Sequence, residues 1–255
     1  MGMSPRQVGV VLGARIDVAS WDVALGRILE WAHARESRYV TICNAHVVVT
    51  ASRDAAYGAI INDSDMATPD GAPVAWMLRR QGHADQPRLN GPDLMWALCG
   101  RAAVEGVPVY CYGSTDETLA RLAPRLREAF PSLDVTMDSP PFRPLSPEED
   151  AATVSRIHAG RAGIVFVGLG CPKQERWMAE HRGRINAVMI GVGAAFDFHA
   201  GTVARAPAWM RDNGLEWLHR LFSEPRRLWR RYLVTNTLFL VGAARQLWRG
   251  NASPR

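Results

Sequence analysis

A chain of 255 residues, 47% hydrophobic and 22% charged, has the composition of an ordinary soluble protein and can bury one large core or two modest ones. Residues 1–13 lack the n-region and apolar h-region of a secretory signal, and Cys43, Cys99, Cys111 and Cys171 form no CxxC or Cys/His cluster. This argues against structural zinc and for reduced thiols in a cytosolic protein. The net charge of +5 resides in the tail: residues 201–255 hold ten Arg, three acids and four of the nine Trp, a local charge of +7, whereas residues 1–200 come to −2. Arg interleaved with Trp suits an anionic membrane surface or phosphate groups. With no basic groove or recognition motif in the body, nucleic acid is not an expected partner.

In chain order, residues 8–18 alternate loosely and predict one or two short strands. Apolar residues at helical spacing predict a helix over 21–34, with Ser20 as its N-cap. A strand over 39–43, a helix over 45–61 and a strand over 65–68 lead to Thr68-Pro69-Asp70-Gly71-Ala72-Pro73. There Pro69 favours extended geometry at Thr68, Gly71 tolerates a tight turn, and Pro73 suits the start of a helix over 74–80. Helices follow over 92–104, 118–130, 148–159 and 172–181, and strands over 107–112, 133–137, 164–167 and 187–191. The proline-rich stretch 139–147 is the one weak internal break, where two lobes could divide. This alternation predicts an α/β fold with a parallel sheet and flanking helices. Beyond residue 200 the pattern turns helical (207–213, 215–222 and 225 onwards), a basic appendage to a core over 1–200. Its apolar run 237–244 is far shorter than the roughly 20 residues needed to span a bilayer.

Asp70, between a strand and a helix, has two readings. It is an N-cap, or it is a carboxylate presented at the sheet edge where ligands gather in open α/β folds. Glycine-containing or polar turns close the other strands: Asn44-Ala45-His46, Gly113-Ser114-Thr115, Gly168-Leu169-Gly170, and Gly191-Val192-Gly193 running on to Asp197. Glycines let backbone amides approach a diphosphate, and together these turns favour a nucleotide-type ligand. Neither GxGxxG nor GxxxxGK[ST] occurs, so NAD and P-loop NTP binding are not signalled. Of 30 basic residues, the one lysine is Lys173, in Gly170-Cys171-Pro172-Lys173-Gln174-Glu175, which hints at a local need for an ammonium group. Asp63-Ser64-Asp65 matches a DxD metal pattern by chance-level spacing alone. His46 reads as cleft lining or, more simply, as helix-start packing. Arg220, Arg227 and Arg230 would share one face of an unbroken helix, as a solvated basic surface or as a clamp on a leaving diphosphate; Pro225 is expected to start a new helix between them.

These blocks resemble the WecG/TagA/CpsF bacterial glycosyltransferases, glycosyltransferase family 26. The resemblance runs from about residue 8 to 232. It is carried by Asn44-Ala45-His46, Pro69-Asp70-Gly71, Arg88-Leu89-Asn90-Gly91-Pro92-Asp93-Leu94, the Gly168–Glu175 block, Gly191-Val192-Gly193, Phe196-Asp197, Arg205-Ala206-Pro207-Ala208-Trp209-Met210, and Leu215-Glu216-Trp217 with Arg220-Leu221. It implies a Rossmann-like core and a C-terminal appendage that docks on membrane and closes the site. It also implies inverting transfer from a UDP-sugar to a polyprenyl-diphosphate-linked glycan at the cytoplasmic membrane face, without metal or cofactor. The general base falls on Asp70, polar pocket residues on Asn44, Arg88 and Gln174, and appendage arginines on Arg220, Arg227 and Arg230. Lys173 and the turns containing Gly113, Gly168, Gly170, Gly191, Gly193 and Asp197 would complete the substrate site. Many members carry Thr two residues before the Asn; here Ile42 stands there, with Thr41 one step earlier and facing the other side of the strand unless a bulge intervenes. A homo-oligomer off the membrane is compatible with this arrangement. The donor sugar is not legible, and the pathway (exopolysaccharide, capsule or teichoic acid) leans towards exopolysaccharide on the Asn-Ala-His variant and the Arg-rich composition. A Rossmann-type oxidoreductase and a non-catalytic membrane-associated nucleotide-sugar-binding scaffold are the competing classes.

Overall fold

A computed structural model describes residues 6–252, apart from the side chains of Asp212, Arg227 and residues 250–252. The stretch 8–18 forms an antiparallel hairpin of β1 (Val8–Val11) and β2 (Ala14–Asp17). Helix α1 (Trp21–His33) starts where the Ser20 side chain accepts from the Val23 amide. After β3 (Arg38–Cys43), the helix expected over 45–61 is two helices, α2 (Ala45–Arg53) and α3 (Ala55–Asn62). Asp54 takes extended geometry and its carboxylate caps α3 through the Tyr57 amide, 3.0 Å away. Gly58 lets the two helices meet, since a Cβ there would lie 2.8 Å from the Ala51 carbonyl oxygen.

The alternation continues with β4 (Met66–Pro69), α4 (Ala72–Arg80), α5 (Gly91–Glu105), β5 (Val109–Gly113), α6 (Asp116–Ala129), β6 (Val135–Asp138) and α7 (Pro147–Ala159). It closes with β7 (Ile164–Gly168), α8 (Lys173–His181) and β8 (Val188–Gly191). The short α9 (Ala195–Ala200), which follows β8 directly, has no counterpart in the sequence prediction. The chain leaves the sheet at Gly201, in left-handed geometry with φ +71°. It continues as α10 (Ala208–Asp212), α11 (Glu216–Ser223) and α12 (Pro225–Ala252).

Strands β3 to β8 form one parallel sheet in the order β4-β3-β8-β7-β5-β6. Central strands such as β7 and β8 are buried on both faces, which explains their unbroken apolar runs. Helices α1, α5, α6 and α9 pack on one face; α2, α3, α7 and α8 pack on the other. Because β5 pairs with both β6 and β7, residues 139–147 begin a crossover, through α7, between two strands of this sheet. The appendage is bound to the body by burial as well as by chain connection. Phe239 and Ala243 of α12 join the apolar cluster formed by α2, α3, α4 and the hairpin. Gln246 also accepts from the Leu12 amide at 2.8 Å and donates to the Val10 carbonyl at 2.6 Å. Among the described residues, no helix is long and apolar enough to cross a membrane.

Candidate active site

In a doubly wound sheet, the place where consecutive connections leave for opposite faces opens a crevice at the carboxyl edge. Here α2 leaves β3 for one face and α9 leaves β8 for the other, and β3 and β8 are neighbours. A cleft of about 490 Å³ occupies that edge. Its floor comes from the turns after β3, β4, β7 and β8. Its roof comes from α11 (Glu216, Trp217, Arg220) and α12 (Arg231, Tyr232, Thr235, Phe239).

Asp70 lines this cleft. The capping reading does not hold: the N-cap of α4 is Gly71, at φ +79°, and no side chain caps that helix. The Asp70 amide donates to the Cys43 carbonyl at 3.0 Å, continuing the β3–β4 ladder and leaving the carboxylate at the strand's mouth. Burial pushes the carboxyl up to about 6, opposed by Arg88, the Gly71 amide and Arg220, and assisted by Glu216. The Leu89 amide donates to the Pro69 carbonyl at 2.9 Å, which holds Arg88 beside the end of β4. Arg88 in turn pairs with Glu216 of α11 at 3.4 Å.

Asn44 and Gln174 both line the cleft and both organise backbone. The Asn44 side chain accepts from the His46 and Val47 amides and so caps α2. Gln174 is buried, and its Oε1 accepts from the Gly170 amide at 3.2 Å and the Gly193 amide at 3.1 Å, tying the β7 and β8 turns together. Its Nε2 donates to Glu175 at 2.8 Å. Gly191 is required by this arrangement, because a Cβ there would sit 2.9 Å from Gln174 Nε2. Gly170, Gly191 and Gly193 lie in the lining. His46 lines the cleft as well, with Nδ1 3.4 Å from Thr235 Oγ1 of α12.

Several expected site residues lie elsewhere. Thr41 is buried, with Oγ1 3.3 Å from Ser64 Oγ; the β3–β4 register runs without a bulge, so Ile42 faces the cleft in its place. Lys173 is exposed at the start of α8 and outside the lining. Gly113 and Gly168 serve packing: a Cβ on Gly113 would meet the Gly168 backbone at 2.6 Å, and one on Gly168 would meet the Phe196 ring at 2.7 Å. Asp197 accepts from Ser114 Oγ at 3.4 Å and Thr118 Oγ1 at 3.3 Å, joining α9 to the start of α6. As expected from Pro225, a new helix starts there, so Arg220 on α11 is separated from Arg227 and Arg230 on α12. Arg220 lines the cleft and lies 5.4 Å from the centre of the Phe198 ring, whereas Arg230 is exposed outside the lining. The Arg227 side chain lies outside the described residues. Asp65 of the DxD triplet sits at the opposite, amino edge of the sheet, paired with Arg38 at 2.7 Å and Arg182 at 2.8 Å.

Sequence reasoning assigned no role to Glu216 or Arg231. Glu216 could have been suspected from its place in the Leu-Glu-Trp block; Arg231 has no local signal beyond the general basicity of the tail. Compared with protein families, residues 10–253 match the model described as "Glycosyl transferase WecG/TagA/CpsF family".

Proposed function

The chain belongs to the WecG/TagA/CpsF family of glycosyl transferases, and from that premise we propose an inverting transfer of a sugar from a UDP-sugar to a polyprenyl-diphosphate-linked glycan, in cell-surface polysaccharide synthesis of the exopolysaccharide type. The observation that carries this reading is Asp70: a carboxylate at the strand's mouth, raised towards neutrality by burial and flanked by Arg88 and Arg220. Direct inversion needs one base, which takes the acceptor hydroxyl's proton as that oxygen attacks the anomeric carbon. The bond to the nucleotide breaks on the opposite side, and guanidinium groups from the roof receive the charge that gathers on the departing diphosphate. In this reading the arginines do the work that a divalent cation does in other transferases, and no cofactor takes part.

The acceptor would come from the membrane. Leu240 both borders the cleft and is 68% exposed. The cleft's apolar rim therefore continues into an outer face of α12 that also presents Trp229, Leu233 and Trp248. This supports a peripheral position on the inner membrane face, with the roof closing over the substrates.

The test is Asp70→Asn assayed with a panel of UDP-sugars and a lipid-linked acceptor. Transfer is expected to fall about 10²–10⁴-fold, the usual size of a general-base contribution, with UDP binding retained. Wild-type turnover in this variant would remove Asp70 from the mechanism. UDP binding by the wild type without transfer to any acceptor would favour the scaffold reading.

A further inference from the structure

Behind the lining of the cleft, Glu175 is a fully buried carboxyl with no cation among the groups that act on it. Burial pushes the carboxyl up, and the hydrogen bond from Gln174 Nε2 to Oε1, at 2.8 Å, opposes that rise. Its Oε2 has no hydrogen-bond partner among the described residues. The neighbouring groups are acids as well: burial, with Glu175 adding to it, pushes Tyr57 and Cys171 up. A carboxyl so placed costs stability, and an apolar residue of similar length would serve packing at least as well. The arrangement therefore points to a role for the acceptor oxygen itself.

A glutamine amide has an accepting end and a donating end. The Gly170 and Gly193 amides, from two different turns, donate to Gln174 Oε1 at 3.2 and 3.1 Å. The donating end is left with Glu175, packed where Gly191 has no Cβ. The reverse orientation would set an NH2 group against two N–H donors and an oxygen against a carboxyl oxygen. With no acceptor at position 175, the buried NH2 would lack a partner, and a swing into the open cleft would satisfy it by releasing both turns. We propose that Glu175 is a positioning residue for donor binding, anchoring Gln174 so that one oxygen clamps the β7 and β8 turns at the spacing that receives the nucleotide. The identity of the donor rests on the transferase reading above. The clamp also accounts for the two glycine amides: both are engaged by Gln174, so these turns offer a ligand their shape and not free donors.

Hydrogen exchange on the full-length wild type should find the Gly170 and Gly193 amides protected, although both turns line the cleft. Rapid exchange at both would overturn the proposal before any variant is made. Glu175→Met removes the acceptor and keeps an unbranched side chain suited to burial. In this variant both amides should exchange about tenfold faster or more. UDP binding, read by calorimetry, should weaken about tenfold, some 1.4 kcal/mol. The KM for the UDP-sugar should rise in step while kcat stays within about threefold, as for lost ground-state binding. Glu175→Gln leaves an acceptor oxygen within reach and should restore most of the affinity. Because Glu175 acts through Gln174, Glu175→Met should cost no further affinity in a Gln174→Ala background. Losses that add in the double variant, equal losses in Glu175→Gln and Glu175→Met, or wild-type UDP affinity in Glu175→Met would each overturn the proposal. A wild type that binds UDP but transfers no sugar would defeat the transferase reading and leave the clamp standing.

Discussion

Asp70 carries a conflict between stability and chemistry that can be measured. Its carboxyl is pushed up to about 6 by burial, above its unfolded value near 3.8, so the folded chain binds this proton more tightly than the unfolded chain does. Between roughly pH 4 and 6 the folded state therefore holds more of the proton, and stability falls as pH rises through that window. Above it the cost is constant. Asp70→Asn removes the cost, so at pH 8 the variant should be more stable than wild type by about 1–3 kcal/mol, with the gain fading near pH 4. Denaturant unfolding at the two pH values checks this. In the proposed mechanism activity runs the other way: Asp70 as the base must be ionised, so wild-type turnover should drop about tenfold per pH unit below about 6. Glu216 adds to the rise of Asp70 and pairs with Arg88. Glu216→Gln should therefore move the acid limb of the rate profile to lower pH and raise KM through a loosened Arg88. An unmoved limb would show that α11 does not tune the base.

At the scale of elements, α12 is held by a small number of buried groups. Phe239 is 3% exposed within the cluster that includes Val47 and Val48 of α2, and Phe239→Ala should cost about 3–4 kcal/mol. The loss should appear first as faster hydrogen exchange along α12 while the sheet keeps its protection. Exchange accelerated equally in β7 and β8 would mean that the appendage and sheet unfold as one unit.

This partition also explains what the sequence made legible. The parallel sheet could be read because its central strands β5, β7 and β8 are short, largely apolar runs that end in glycine turns. Asn44 and Asp70 could be read for the same reason, since they follow their strands directly, and Gly170 and Gly193 lie two residues beyond the ends of β7 and β8. The break between α2 and α3 is masked by apolar spacing that continues across it, although Asp54 is a helix-capping residue type and does cap α3. The short α9 was hidden because it lacks a side-chain cap to announce it. Gly113 and Gly168 look in sequence like Gly170 and Gly193, yet the first pair exists for close packing of backbone and ring. Glu216 and Arg231 reach Asp70's cleft from helices about 150 residues away in sequence. Which face α12 presents depends on where the chain breaks at Glu224, which arginine spacing does not encode.

At the scale of the whole molecule, the outer surface of the appendage is the part whose chemistry is unspent inside the fold. Trp229, Leu233, Leu240, Val241 and Trp248 are all exposed along α12, with Arg226 and Arg230 near one end and Arg245 and Arg249 near the other. From Trp229 to Trp248 this face runs roughly 28 Å at 1.5 Å per residue, a length suited to lying in the headgroup plane with arginines reaching phosphates. Attraction of this kind has two separable parts. The apolar part should survive salt, and the charged part should weaken with it, because the Debye length shrinks from about 8 Å at physiological ionic strength to about 3 Å at 1 M. In flotation with vesicles containing anionic lipid, binding should therefore weaken but not vanish at high salt, and should be much poorer on neutral vesicles. Replacing Trp229 and Trp248 by Ala should reduce partitioning about tenfold or more, some 1.4 kcal/mol, at every salt concentration, while the melting curve stays near wild type because both residues are more than half exposed. Equal flotation of the double variant and wild type would mean that this face meets something other than lipid. The route by which the proposed lipid-borne acceptor reaches Asp70 would then have to be sought on another side of the cleft.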